Sequence, residues 1–189
     1  MLTFKSITLS PTTKLTFASN FTSISKDLEL LKQVNVDAKQ TWSFRAVSYG
    51  HQYSYSGITH SYRPITTDLA DLARQIEQAS GYPEGYFNHV HCNVFEANSK
   101  GIGFHSDAEP IYRLPNGGHG DVAVVSYGGE SNITISDKYR NVKANLLAKS
   151  GSLYIMQGET FQSTLLHKVG AIAKKRISIT FRHIPNLNS

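Results

Sequence analysis

One cysteine, Cys92, stands alone in 189 residues, which excludes an internal disulfide and any zinc site built from several cysteines. A cytosolic, reducing compartment is the natural setting for such a chain. No apolar run approaches the roughly 18 residues of a membrane span, and the N-terminus MLTFKSITLSPTTK has no apolar signal core. Repeats, low-complexity tracts and linkers are absent, so one domain over 1–189 is expected, with 1–20 as a flexible or peripheral segment. There is no G-x-S-x-G elbow and no Cys–His pairing, which argues against covalent hydrolysis. The glycine-rich NGGHG at 116–120 lacks the P-loop lysine and reads as a hairpin. Lys/Arg blocks are missing too, the densest being KKR at 174–176, although the net charge of +5 suits a polyanionic partner.

What is present divides into two helices and a β-rich remainder. SISKDLELLKQV (23–34) has Leu28, Leu31 and Val34 at helical spacing. In TTDLADLARQIEQASG, Leu69, Leu72, Ala73 and Ile76 share a face, Thr66 or Thr67 can cap the start, and Gly81 can end it. From Phe87 onward come short strand-like runs: HVHCNVF, GIGFHSD, DVAVVSYG, NITISD, NLLAKSGSLYIM, TLLHKV and RISITFR. Helices followed by many short strands predict an α+β fold with a β-sandwich or barrel body and helices on one face.

In RISITFR, alternation puts Arg176, Ser178, Thr180 and Arg182 on one side and Ile177, Ile179 and Phe181 on the other. The polar side is either a solvated outer face or the lining of an anion-holding cavity. HSD supplies a second clue, because His105 and Asp107 at i and i+2 of an extended chain point at a common atom. His167 in TLLHKV offers a third ligand. Two histidines and a carboxylate with open positions form the facial triad of non-haem Fe(II) oxygenases. With eight histidines in the chain, H-x-D alone is weak. Arg176 and Arg182 follow His167 by nine and fifteen residues. Six strand residues span roughly 20 Å, so the two cannot grip one carboxylate but can reach opposite ends of an elongated diacid such as 2-oxoglutarate.

HSDAE, the later LLHKV and RISITFR together resemble the AlkB family of Fe(II)/2-oxoglutarate-dependent dioxygenases, with its pattern H-x-D-x-D/E, a distal His, then R-x-N-x-T-x-R. RAVSYGHQYSYSG (45–57) is similar to the family's nucleotide-recognition lid, FNHVHCNVF (87–95) to its FN…N-x-Y strand, and GSLYIMQGETFQ to the strand before the distal histidine. The resemblance covers about Phe21 to His183 and looks most like the domains embedded in plant RNA-virus replicases.

That resemblance implies a double-stranded β-helix (jelly roll) holding Fe(II) through His105, Asp107 and His167, with 2-oxoglutarate and O2 as co-substrates. It implies Asn93 and Arg176 at the distal carboxylate of 2-oxoglutarate and Arg182 nearer the metal-chelated end. Tyr53 would stack on a flipped base against His105, Glu109 would contact the exocyclic nitrogen, and Tyr49 and Tyr55 would share the lid. The implied reaction removes N-methyl groups from RNA or single-stranded DNA, with N1-methyladenine, N3-methylcytosine and N6-methyladenine unranked, in the cytoplasm (a host's, if viral), by a monomer. Ser178 replaces the family asparagine and Phe95 the family tyrosine, so weaker co-substrate binding is expected. Arg182 also has a purely structural alternative, an ion pair with Asp107. His89 and His91 are expected to line the barrel, and Cys92 to lie in the core. Two other functions compete: a 2-oxoglutarate-dependent hydroxylase of a protein or small molecule, and a weakly catalytic nucleic-acid-binding module.

Overall fold

A computed structural model describes residues 2–55 and 58–185. In chain order the elements are β1 (Lys5–Ser10), β2 (Thr13–Ala18), α1 (Leu28–Asp37), β3 (Lys39–Gln40), β4 (Arg45–Tyr49), β5 (Tyr53–Tyr55), β6 (Ile58–His60) and α2 (Thr67–Ser80). There follow β7 (His89–Phe95), β8 (Ile102–His105), β9 (Val122–Gly128), β10 (Ser131–Asp137), β11 (Val142–Ala148), β12 (Ser152–Gln157), α3 (Phe161–Thr164), β13 (Leu165–Val169) and β14 (Arg176–Arg182). An eight-stranded sheet runs β1-β2-β12-β9-β14-β7-β4-β3, a four-stranded sheet runs β11-β10-β13-β8, and β5 pairs with β6. The two larger sheets face one another as the jelly roll expected from the resemblance.

Strand alternation sorts the side chains into two cores. From β14, Ile177, Ile179 and Phe181 join Val90, Cys92 and Val94 of β7 in a cluster covered by Leu30, Leu31, Val34, Leu69, Leu72 and Ile76 of the two long helices. The opposite faces of the strands point between the sheets, where Phe95, Val124 and Tyr154 meet Ile133, Ile135, Leu146 and Val169. The helices thus plug one face of the large sheet and leave its other face to line a cavity. α2 begins at Thr66, whose side chain accepts from the Leu69 amide, and ends at left-handed Gly81.

The N-terminal segment takes a definite form, and two expectations need correcting. Residues 5–18 form the β1–β2 hairpin, which sits at the edge of the large sheet and extends it through β2–β12 pairing. Leu15 is buried there, while serine and threonine between the apolar positions dilute the alternation in the sequence. α1 starts at Leu28 rather than near Ser23, because the Asp27 carboxylate accepts from Thr22 and Tyr127 instead of capping the helix. NLLAKSGSLYIM is two strands in opposite sheets, β11 and β12, separated by a turn in which Gly151 has φ +78°.

Candidate active site

The inner faces of β7, β8, β13 and β14 converge on one buried polar pocket. His105 pairs across the sheet with His167, but Ile102, three residues earlier on β8, pairs with Val169, only two further along β13. The extra residue is a β-bulge. It allows Ile102 to join the apolar interior while His105, at the other end of the bulge, still faces the cavity. The His105 Nδ1 donates to the Gly103 carbonyl at 2.8 Å, which leaves Nε2 as the lone pair available to a metal. Asp107 follows, its backbone amide held 2.9 Å from Oε1 of Gln162 on α3. One ligand atom from each of His105, Asp107 and His167 lies within 4.8 Å of the others. This is the donor set of a facial triad.

Charge in the pocket is arranged around these residues. The Arg182 Nη2 lies 3.1 Å from Oδ1 of Asp107, with both side chains almost fully buried. Burial pushes the Asp107 carboxyl up, but Arg182, His167 and His105 outweigh it and hold the group well below the usual carboxylate range. Burial, then neighbouring His105, pulls His167 down to about 3, so its imidazole is neutral and able to ligate.

Arg176 is 0% exposed. Its Nε donates to the Ser126 hydroxyl at 2.9 Å, yet Nη1 and Nη2 find no acceptor at hydrogen-bonding geometry. Among the described residues no carboxylate pairs with it. An unpaired buried guanidinium is costly, and the fork it presents suits an incoming carboxylate. Asn93 Oδ1, Arg182 Nε and Nη1, and His167 Nδ1 are likewise buried without partners. These orphaned groups, a metal-type triad at one end and a free cation at the other, fit iron and a dianionic co-substrate.

Other expected residues fall as follows. Asn93 and Ser178 are cross-strand partners, with Ser126 on the other side of Ser178. Phe95 faces the same interior and packs on Phe44, ring centroids 5.0 Å apart, with the Arg176 guanidinium 5.7 Å from its own ring centre. Tyr53 is buried, donates to Oε1 of Glu109 at 2.7 Å, and has the Arg182 guanidinium 5.6 Å from its ring centre. Its ring also meets His91 and His89 at 5.0 and 5.3 Å. Tyr49 does not belong to this group. It ends β4 on the helix side, inside the core under α1 and α2, with its hydroxyl on Asp37. The lid therefore begins only after Gly50, whose φ of +92° and amide bond to the Arg63 carbonyl at 2.7 Å close the base of the β5–β6 hairpin. Tyr55 ends β5, and its side chain lies outside the described residues.

Tyr154, Ser126 and Gln162 were not singled out by motif. Tyr154 sits on β12 on the interior face, and Arg176 offsets the upward push of burial on its phenol, which stands at about 12. Alternation within SLYIM would have put it on that face, since Leu153 and Ile155 belong to the helix-side core. His91 is buried and bonds Ser48 at 2.8 Å. Tyr53, His105, Asp107, Arg182, Asn93 and His91 border a small cavity of about 20 Å³. A second cavity of about 220 Å³ adjoins it through Phe44, His91 and Ile102, and is walled further by Trp42, Ile58 and His60.

The profile of the 2OG-Fe(II) oxygenase superfamily matches residues 14–182. The chain belongs to that superfamily. Its fold matches the solved structure described as "The structure of OsALKBH1", with a TM-score of 0.69, 13% identity, and coverage of 89% of this chain and 97% of that one. The RNA replication protein of Grapevine virus A (isolate Is 151) is 29% identical over 136 residues, 71% of this chain but 7% of the viral protein. Replicase protein 1a of Grapevine leafroll-associated virus 3 (isolate United States/NY1) is 29% identical over 133 residues, 70% of this chain and 6% of that protein. The AlkB resemblance drawn from the motifs thus agrees with the superfamily profile, the fold and the viral relatives. Fe(II), 2-oxoglutarate and O2 are the cofactors of this dioxygenase class. Among the described residues, no helix is long and apolar enough to cross a membrane.

Proposed function

We propose that this oxygenase is an oxidative demethylase of nucleic-acid bases, acting on RNA. The observation that carries the reading is the ring-lined cavity of about 220 Å³ between Trp42, Phe44, His60 and His91, which shares Phe44, His91 and Ile102 with the pocket at His105 and Asp107 and suits a planar base. The net charge of +5 favours a polyanionic substrate, and similarity to viral RNA replication proteins favours RNA over DNA. The setting that follows is the cytoplasm of a host cell.

In this reading His105, Asp107 and His167 hold the iron. Arg176 receives the distal carboxylate of 2-oxoglutarate, assisted by Asn93 and by the Tyr154 hydroxyl, which takes the place of the one missing at Phe95. Ser178, the cross-strand partner of Asn93, stands where the family has an asparagine. Arg182 keeps Asp107 ionised and leaves two donors for the metal-proximal end of the co-substrate. Tyr53 and Glu109 close the site over the base and exclude water. With iron bound, O2 and 2-oxoglutarate are converted to succinate and CO2 while an N-methyl group becomes hydroxymethyl, which leaves as formaldehyde and restores the base.

Mass spectrometry of methylated RNA and DNA oligonucleotides, incubated with Fe(II), 2-oxoglutarate and ascorbate, tests this. Loss of 14 Da (one CH2) from RNA, abolished by His105→Ala and by Asp107→Ala, is expected. Co-substrate consumption triggered by a peptide or metabolite, and by no nucleic acid, would overturn it.

A further inference from the structure

We propose that the β10–β11 turn, with the outer faces of β8 and β13, docks the phosphate backbone of single-stranded RNA beside the active site. The inference rests on the demethylase reading and adds a surface that the catalytic pocket does not contain. The turn reads DKYRN. Asp137 organises it: Oδ1 accepts from the Tyr139 and Asn141 amides, both at 2.9 Å, Oδ2 accepts from the Asn141 side chain, and Lys143 stands 3.3 Å away. The one acid of the turn is thereby occupied within it.

The cations that remain have no such partner. Lys138, Arg140 and Lys168 are exposed, and among the described residues none pairs with a carboxylate. Arg140 adopts φ +70°, a conformation that a non-glycine residue takes at a cost, and its guanidinium lies 4.5 Å over the Phe104 ring. Lys168 Nζ lies 5.9 Å from the centre of the same ring. Two unpaired cations therefore stand near one ring, within about a Debye length (~8–10 Å) of each other. An anion between them relieves their repulsion. Tyr139 at the tip is 87% exposed and offers a face on which a base can stack.

The position of this surface matters as much as its charge. Phe104 immediately precedes His105, Lys168 immediately follows His167, and those two histidines are cross-strand partners. The same two strands thus carry the metal-type histidines on one face and Phe104 and Lys168 on the other, where Arg140 of the β10–β11 turn reaches over the Phe104 ring.

The test is fluorescence anisotropy with a short, unmethylated, labelled single-stranded RNA and the intact protein across a salt series. Arg140→Gln with Lys168→Gln should weaken binding about tenfold and flatten the salt dependence by roughly 0.7 per cation removed. Tyr139→Ala should weaken binding several-fold with the slope unchanged. Thermal unfolding and 2-oxoglutarate affinity should stay at the wild-type values. Variants that bind RNA as tightly as wild type, with the same slope, would overturn the docking surface and leave the demethylase reading standing. Variants that lose as much affinity for duplex DNA and duplex RNA as for the single-stranded RNA would overturn the single-stranded RNA assignment. No RNA binding by wild type at low salt would overturn both readings together.

Discussion

The Arg182 guanidinium and the Asp107 carboxylate form an ion pair at 3.1 Å with both side chains almost fully buried. The pair makes Asp107 a permanent anion in the fold, despite burial that by itself would favour the protonated acid. Removing one partner of such a pair typically costs about 3–5 kcal/mol, because the other charge is left desolvated. Arg182→Met should therefore lower the stability of the metal-free protein by that order in urea unfolding at pH 7, and adding Asp107→Asn should restore part of it. Since the folded Asp107 value lies below the unfolded one of about 3.9, the pair's contribution is complete above that pH and fades as the pH falls further. In Arg182→Met burial is left to push the Asp107 carboxyl up, so the fold takes up that proton more readily than the unfolded chain, and the stability gap to wild type should narrow as the pH falls below about 4. A gap that stays constant into acid would refute this account.

His89 and His91 respond to acid over a different window. Burial first, then the Arg182 charge, pulls His89 down to about 3 and His91 well below its ordinary value. Both are neutral in the fold, His89 accepting from or donating to Tyr112 at 3.1 Å and His91 likewise to Ser48 at 2.8 Å. An unfolded histidine takes its proton near pH 6.5, so stability is complete above that value and is lost as the pH falls toward the folded value. Between pH 7.5 and 5 the metal-free protein should lose up to about 2 kcal/mol for each such histidine. His89→Phe should flatten the decline. A stability flat over this range would contradict it.

Gly101 protects the register of the two strands that carry His105 and His167. At φ +76° an added Cβ would stand 2.2 Å from the Val169 carbonyl oxygen and 2.3 Å from that of Gly170. Those atoms are backbone of β13 and of the residue that follows it, so relief requires the strand carrying His167 to move. Gly101→Ala should cost about 2 kcal/mol or more and should weaken Co(II) binding, followed by absorbance, more than an equally destabilising change in α2. Wild-type metal affinity in this variant would show that the register tolerates the shift.

Much of this site could be read from the chain because its residues sit on strands, where parity dictates direction. His105, Asp107, His167, Arg176 and Arg182 all follow the period of two or a motif spacing built on it. Tyr49 could not be placed that way. It belongs to a tyrosine-rich stretch that looks uniform in sequence, and only the β4–β7 pairing turns it toward the helices. Tyr154 escaped for the opposite reason: its partner Arg176 lies on another strand, and no local pattern links them. The bulge in β8 was invisible too, since it is defined by pairing with β13. The first hairpin was missed although Ile7 and Leu9, then Leu15 and Phe17, alternate with polar residues, because each run is only six residues long and carries just two large apolar side chains.

Tyr154 is the residue that should offset Phe95. Its phenol stays protonated at neutral pH and lies beside Arg176, where it can donate to the same carboxylate. A hydrogen bond to a charged group contributes about 1.5–3 kcal/mol, so Tyr154→Phe should weaken 2-oxoglutarate binding by about ten- to a hundredfold in calorimetry. The maximal rate at saturating co-substrate should fall far less. Phe95→Tyr should gain little, since the ring is packed on Phe44 with no space left beside it. An unchanged affinity in Tyr154→Phe would remove this tyrosine from the co-substrate site.

Tyr53 and Glu109 fasten the lid. The β5–β6 hairpin is tied at its base by the Gly50–Arg63 backbone bond and over the pocket by the Tyr53 hydroxyl on Glu109, each at 2.7 Å. Burial, with the nearby carboxylates, keeps the Tyr53 phenol protonated, so it remains a donor at any physiological pH. Tyr53→Phe deletes that bond while keeping the ring against His91 and Arg182. Losing about 1 kcal/mol should speed amide exchange in β5 and β6 about fivefold, with little change in global stability. Glu109→Gln keeps an acceptor and should exchange nearly as slowly as wild type, which separates loss of the bond from loss of the charge. On the proposed demethylase reading, the same Tyr53→Phe variant should raise the KM for a methylated oligonucleotide more than it lowers kcat, because the lid would then act on entry and retention of the base. Exchange in β5 and β6 equal to wild type would show that the hydroxyl does not hold the lid.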